Sequence, residues 1–180
     1  MIKAGEANLE MVKHVAERFG PLLRDVVFLG GAATTLFITD KAAPEVRPTK
    51  DVDVIVETLT RSDYYALEEK LRSLGFTQPM EQDSPLCRWV IQGVNIDVMP
   101  TDEKILGFAN QWYSEAIKYA IVLSISKGLE IKIVTAPYFL ATKIEAFYGR
   151  GKGDFIGSHD LEDIIAVVDG RPELTREVRD

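Results

Sequence analysis

Between Lys50 and Thr58 the chain reads DVDVIVE, an alternating, β-branched run with two carboxylates at its front. Such a run fixes a strand, because successive side chains of extended backbone point to opposite faces. Val52, Val54 and Val56 then face a core, while Asp51, Asp53 and Ile55 face the other way. A carboxylate placed beside a core is costly unless something compensates it. A second run, VNIDVMP, repeats the pattern: Val94, Ile96 and Val98 share one face, and Asn95, Asp97 and Met99 the other. If the two strands are neighbours, three carboxylates converge on one patch.

The remaining pattern supplies the frame for these strands. Leu9, Val12, Val15 and Ala16 recur at helical spacing, so residues 6–19 read as a helix. VVFLGG reads as a short buried strand closed by Gly30-Gly31, and AATTLFITD can start a helix. RSDYYALEEKLRSLGF reads as an amphipathic helix with Ser62 as N-cap and Gly75 as its stop. LCRWVIQG and VNIDVMP read as a hairpin turning at Gly93, and YAIVLSI and LEIKIVT as a second one turning at SKG. Helices are expected at 136–149 and 158–168, with Leu140, Ile144 and Phe147 as the buried stripe of the first and Leu161, Ile165 and Val168 as that of the second. RPELTREVRD begins a further polar helix with little to pack on, so the chain is expected to stop short of its natural end. Strands interleaved with helices and joined partly by hairpins define an α+β fold: a mixed sheet of about four to five strands with flanking helices and a small helical C-terminal part.

Composition bounds the rest. The chain has 180 residues and a formal net charge of −7, which argues against a broad nonspecific nucleic-acid surface but not against a local basic channel or a cation-binding acidic site. Cys87 is the single cysteine, so no intramolecular disulfide forms. No apolar run approaches the ~20 residues that span a bilayer, and the N-terminal stretch is charged rather than signal-like. A soluble cytoplasmic protein without a membrane partner is the expectation.

Three converging carboxylates repel, and burial would raise their pKa values. A Mg²⁺ ion removes the conflict, since it takes oxygen ligands and binds through few carboxylates plus substrate phosphates. Alone, each Asp reads equally as a solvated strand end; three on two strands favour a metal site formed by Asp51, Asp53 and Asp97. The Gly30-Gly31 turn permits close backbone approach to a phosphate, with Thr34 or Thr35 adding a hydroxyl. Arg47, Thr49 and Lys50 precede the acids and can balance triphosphate charge, or form a solvated loop. Lys143 borders an apolar stripe and also reads as a snorkelling lysine. Asp160, in a first turn capped by Ser158, is also favoured there by the helix dipole alone. Arg150 to Asp154 form either a phosphate-contacting loop or a linker. Trp89, Trp112 and Tyr113 read as core, with Trp112 or Tyr113 as the alternative platform for a base.

Gly30-Gly31, then Asp51-Val52-Asp53, then Asp97 resembles the nucleotidyltransferase superfamily of DNA polymerase β type. Its signature is a strand ending in Gly-Gly or Gly-Ser, a helix, a strand with two acids one residue apart, and a third acid on a later strand. The gap filled by ITDKAAPEVRPTK is longer than the usual form and more like AbiEii-type toxin nucleotidyltransferases or related minimal bacterial ones. Gly31 stands where many members carry serine. FLATKIEAFYGRGKGDFIGSHDLEDI looks like the later motifs, with Lys143 the phosphate-contacting lysine and Asp160, or less fittingly Asp163, the aspartate. The resemblance implies transfer of a nucleoside monophosphate from an NTP to an acceptor hydroxyl with Mg²⁺ or Mn²⁺. Asp51, Asp53 and Asp97 would be the metal ligands and Asp97 would also help deprotonate the acceptor. Gly30, Gly31, Lys50 and Lys143 would cradle the triphosphate, and Asp160 would orient Lys143 or the nucleotide. It implies a nucleotidyltransferase core over 1–135 and a helical part over 136–180 packing on it. The acceptor it implies is tRNA or a protein, with an antitoxin as a further partner. The alternatives are a small-molecule acceptor, as in antibiotic nucleotidyltransferases, and a nucleotide-binding module without turnover; the intact acid trio argues against the latter.

Overall fold

The computed structural model describes residues 3–58, 60–81, 83–150 and 153–179, with the backbone alone at residue 150. Helix α1 (Ala4–Phe19) buries Val12, Val15, Ala16 and Phe19, and Phe19 packs on Phe28 and Phe76. Strand β1 (Val26–Leu29) is wholly buried and runs into a short helix, α2 (Gly30–Ala33), continued by a 3₁₀ turn to Phe37. Strand β2 (Asp51–Val56) leads to α3 (Arg61–Ser73). The N-cap of α3 is Thr60 rather than Ser62, because the Thr60 hydroxyl accepts from the backbone N–H of Asp63.

Strands β3 (Arg88–Ile91) and β4 (Val94–Pro100) form the first hairpin, turned by Gln92 and Gly93, both with positive φ. Short helices α4 (Glu103–Leu106) and α5 (Tyr113–Lys118) precede the second hairpin, β5 (Ile121–Ser126) and β6 (Leu129–Ile133). Helices α6 (Ala136–Arg150), α7 (His159–Gly170) and α8 (Leu174–Glu177) complete the chain.

The sheet is mixed and holds six strands in the order β3-β4-β2-β1-β6-β5. The expectation of four to five was low because both hairpins extend one continuous sheet. β2 pairs antiparallel with β1 and parallel with β4, while β1 pairs parallel with β6. Among the described residues, no helix is long and apolar enough to cross a membrane.

Two sequence expectations fail in an instructive way. On α6, Phe147 is buried and Leu140 packs against the core as expected, but Ile144 is exposed and Lys143 is buried. On α7, Ile165 and Val168 are exposed, and Asp160, Asp163, Val167 and Gly170 face inward. Both helices are rotated so that a lysine and two aspartates meet inside, and ion pairing overrides the apolar stripe. The final helix also finds partners: Leu174 is buried, Arg171 pairs with Glu177 through two hydrogen bonds (2.6 and 2.8 Å), and Thr39 donates to Glu173 at 2.8 Å. Phe139, Val167 and Leu174 belong to the same hydrophobic cluster as the sheet residues.

Candidate active site

The strand registers assemble the site. Asp53 and Asp97 are direct partners across the parallel pair β2–β4, and Asp51 lies opposite Asn95. Asp51, Asp53 and Asp97 all line one cavity of about 640 Å³, together with Gly31, Arg47, Thr49, Lys50, Lys143 and Asp160. The cavity lies at the N-terminal ends of β2 and β3, against α6 and the start of α7.

The glycines are required by their neighbours. Gly30 has φ +77°, and a Cβ there would come within 1.9 Å of Asp53 Oδ2. A Cβ on Gly31 would lie 2.6 Å from Arg47 Nη2. The missing side chains thus make room for two functional groups, a demand beyond the phosphate approach that the turn chemistry suggests. Gly30→Ala is expected to cost about 1–3 kcal/mol from backbone strain alone. The measurement is urea unfolding, where the midpoint should fall with the slope unchanged.

One residue that the sequence reading missed commands the carboxylates. Arg88 lies directly across the β3–β4 hairpin from Asp97. Its Nε donates to Asp97 Oδ1 at 2.8 Å, and its Nη2 donates to Asp97 Oδ2 at 2.7 Å and to Asp51 Oδ2 at 3.1 Å. Hydrogen bonding to Asp97 outweighs desolvation and holds the guanidinium pKa above its ordinary value. The Thr49 hydroxyl donates to the other oxygen of Asp51, Oδ1, at 3.1 Å. Beside them Cys87 is buried, and burial, then the Asp97 charge, pushes its thiol up to about 12, so it offers no thiolate.

A second charged cluster faces the first. Lys143 donates to Asp160 at 3.0 Å and pairs with Asp163 at 2.7 Å. Burial opposes its charge, but Asp163, Asp160 and Asp53 prevail and raise its pKa. Arg47 grips the same Asp163 through Nε (2.9 Å) and Nη2 (3.0 Å). Asp163, whose side chain is 1% exposed, is therefore the hub of this cluster. Asn8 was also missed in the sequence. It sits on the buried side of α1, donates to the Arg47 carbonyl at 2.9 Å and accepts from the Thr49 N–H at 3.1 Å, which fixes the loop ahead of β2.

Other candidates fall elsewhere. Thr34 is fully buried and outside the cavity wall. Lys50 is exposed at the cavity and, among the described residues, enters no ion pair. Asp154 accepts from the N–H groups of Gly157 (2.7 Å) and Ile156 (3.1 Å), which lowers its pKa and shapes the rim. Part of the 150–154 loop lies outside the described residues. Trp89 is buried in the core, Tyr113 is buried with its hydroxyl on Met99 Sδ, and Trp112 is 39% exposed.

The three carboxylates are hard oxygen donors of the kind Mg²⁺ takes. Among the described residues no three such side chains stand in metal-holding geometry as they are. Arg88 occupies both oxygens of Asp97 and one of Asp51.

The mixed sheet with its flanking helices is similar to a nucleotidyltransferase-like structure. The chain is similar to the crystal structure of an antigenic nucleotidyltransferase-like protein from Paracoccidioides brasiliensis, with a TM-score of 0.62 and 23% identity over 96% of this chain and 82% of that one. No family model and no curated protein matches the sequence.

Proposed function

We propose that the protein is a metal-dependent nucleotidyltransferase that moves a nucleoside monophosphate from an NTP to an acceptor hydroxyl. The observation that supports this most is the in-register pair Asp53–Asp97, with Asp51 beside it, in a cavity that is also lined by Gly31 and by four cations, Arg47, Lys50, Arg88 and Lys143. In the reaction the acceptor oxygen bonds to the α-phosphorus, the bond to the β-phosphate bridge breaks, and pyrophosphate leaves. Mg²⁺ or Mn²⁺, held by Asp51, Asp53 and Asp97, would supply charge neutralisation at the phosphates and polarise the reacting oxygens.

The chain's own groups do the rest. Asp97 accepts the acceptor's hydroxyl proton. Lys50, exposed at the rim, meets the outer phosphates as they enter. Lys143 and Arg47 present fixed positive charge, oriented by Asp160 and Asp163. Catalysis of this kind rests on positioning and electrostatics rather than on a protein nucleophile.

The long loop ahead of β2 and the Lys143/Asp160 pairing support an AbiEii-like reading, with tRNA or a protein as acceptor and an antitoxin as partner. The net charge of −7 argues against a broad nonspecific RNA-binding surface. Incubation with each α-labelled NTP, Mg²⁺ and a cell extract tests the proposal. Label is expected in the RNA or protein fraction. Label confined to small molecules would reassign the acceptor, and absence of label with NTP binding intact would make the protein a binding module.

A further inference from the structure

We propose that Arg88 is the resident counter-ion of the carboxylate trio, and that a divalent cation enters the site by displacing it. The inference rests on the cavity's being a metal site. Both oxygens of Asp97 accept from Arg88, at 2.8 and 2.7 Å, so a cation approaching Asp97 meets the charge and bulk of the guanidinium while that pair stands. Asp51 is shared: Arg88 holds Oδ2 at 3.1 Å and Thr49 holds Oδ1 at 3.1 Å. When Arg88 leaves, the Thr49 hydroxyl keeps Asp51 oriented toward the cavity.

Arg88 is also the cation placed to move. It sits on β3, the edge strand of the sheet, where a change of rotamer breaks no strand pairing beyond its own side chain. Its side chain is 24% exposed, against 8% for Lys143, which is enclosed between Asp160 and Asp163. Arg47 is fixed bidentately to Asp163. Around the cavity Arg47, Lys50, Arg88 and Lys143 face Asp51, Asp53, Asp97, Asp154 and Asp160, so the lining is net negative. A doubly charged ion of small radius therefore gains more from the same oxygens than the guanidinium does. Arg88 thus serves as a positioning residue that keeps the strands' carboxylates together in the absence of metal.

The test is calorimetric titration of Mn²⁺, without nucleotide, into the full chain and into Arg88→Met and Arg88→Gln. Removing the competitor should tighten Mn²⁺ binding by at least about tenfold, the size expected when charge-assisted hydrogen bonds no longer oppose it. Folded variants with equal or weaker affinity overturn the counter-ion role and leave the metal site standing. No Mn²⁺ binding by either the wild type or the variants overturns the metal site, and this inference with it. If the variants fail to fold, the Arg88 Nε–Hε resonance of the ¹⁵N-labelled wild-type protein decides. It should leave its hydrogen-bonded position as Mg²⁺ is added, and a resonance unmoved at saturating Mg²⁺ overturns the proposal.

Discussion

Asp53→Asn is expected to reduce label transfer by about two to three orders of magnitude, the size of several kcal/mol of lost charge stabilisation. Asparagine keeps the shape that Gly30 is cut away to accommodate, so the fold should survive. Asp53 lies at the meeting point of the site, beside Leu29 of β1 on one side and Asp97 of β4 on the other. On the proposed function it is one of the three carboxylates that would hold the cation. Transfer within about tenfold of wild type, by rate assays at saturating Mg²⁺, would remove Asp53 from the metal set.

Asp163→Ala is expected to cost about 3–5 kcal/mol, because it leaves the buried charge of Lys143 and the partly buried charge of Arg47 without their shared partner. For a chain of this length that corresponds to roughly 6–20 °C in Tm, read by thermal unfolding at neutral pH. The pH dependence has a fixed sign. Lys143 has its folded pKa raised, so the stability it contributes is fully present below the unfolded lysine value of about 10.4 and is lost only as pH rises through the folded value. The Lys143 contribution should therefore hold through neutral pH and shrink in strong alkali. A loss below about 1 kcal/mol, typical of an exposed pair, would show that the cluster is not the anchor described.

The strands were legible because DVDVIVE and VNIDVMP carry strict alternation, and the structure places Asp51, Asp53 and Asp97 along one cavity. Arg88 was within reach of the same reasoning. A two-residue turn at Gln92-Gly93 fixes the hairpin register and sets position 88 opposite 97. What misled the reading of α6 and α7 was hydrophobic periodicity. Ile144, Ile165 and Val168 look like core positions, yet the buried faces belong to Lys143, Asp160 and Asp163. Apolar spacing predicts a helix face only where no stronger term decides the rotation. Here two charges of opposite sign are stabilised by each other inside the fold, and neither can be placed without the other. The link of Asp163 to Arg47 is unreadable because the two lie 116 residues apart. Asn8 was unreadable for the same reason: its partners lie 39 and 41 residues later, in a loop with no pattern of its own.

Parallel reactions with α-labelled and γ-labelled NTP, each with Mg²⁺ and acceptor, test the central claim most directly. The site described here predicts that the acceptor takes the α label alone, while the γ label leaves in pyrophosphate. Transfer of the γ label to the acceptor, or free phosphate as the sole labelled product, would contradict it.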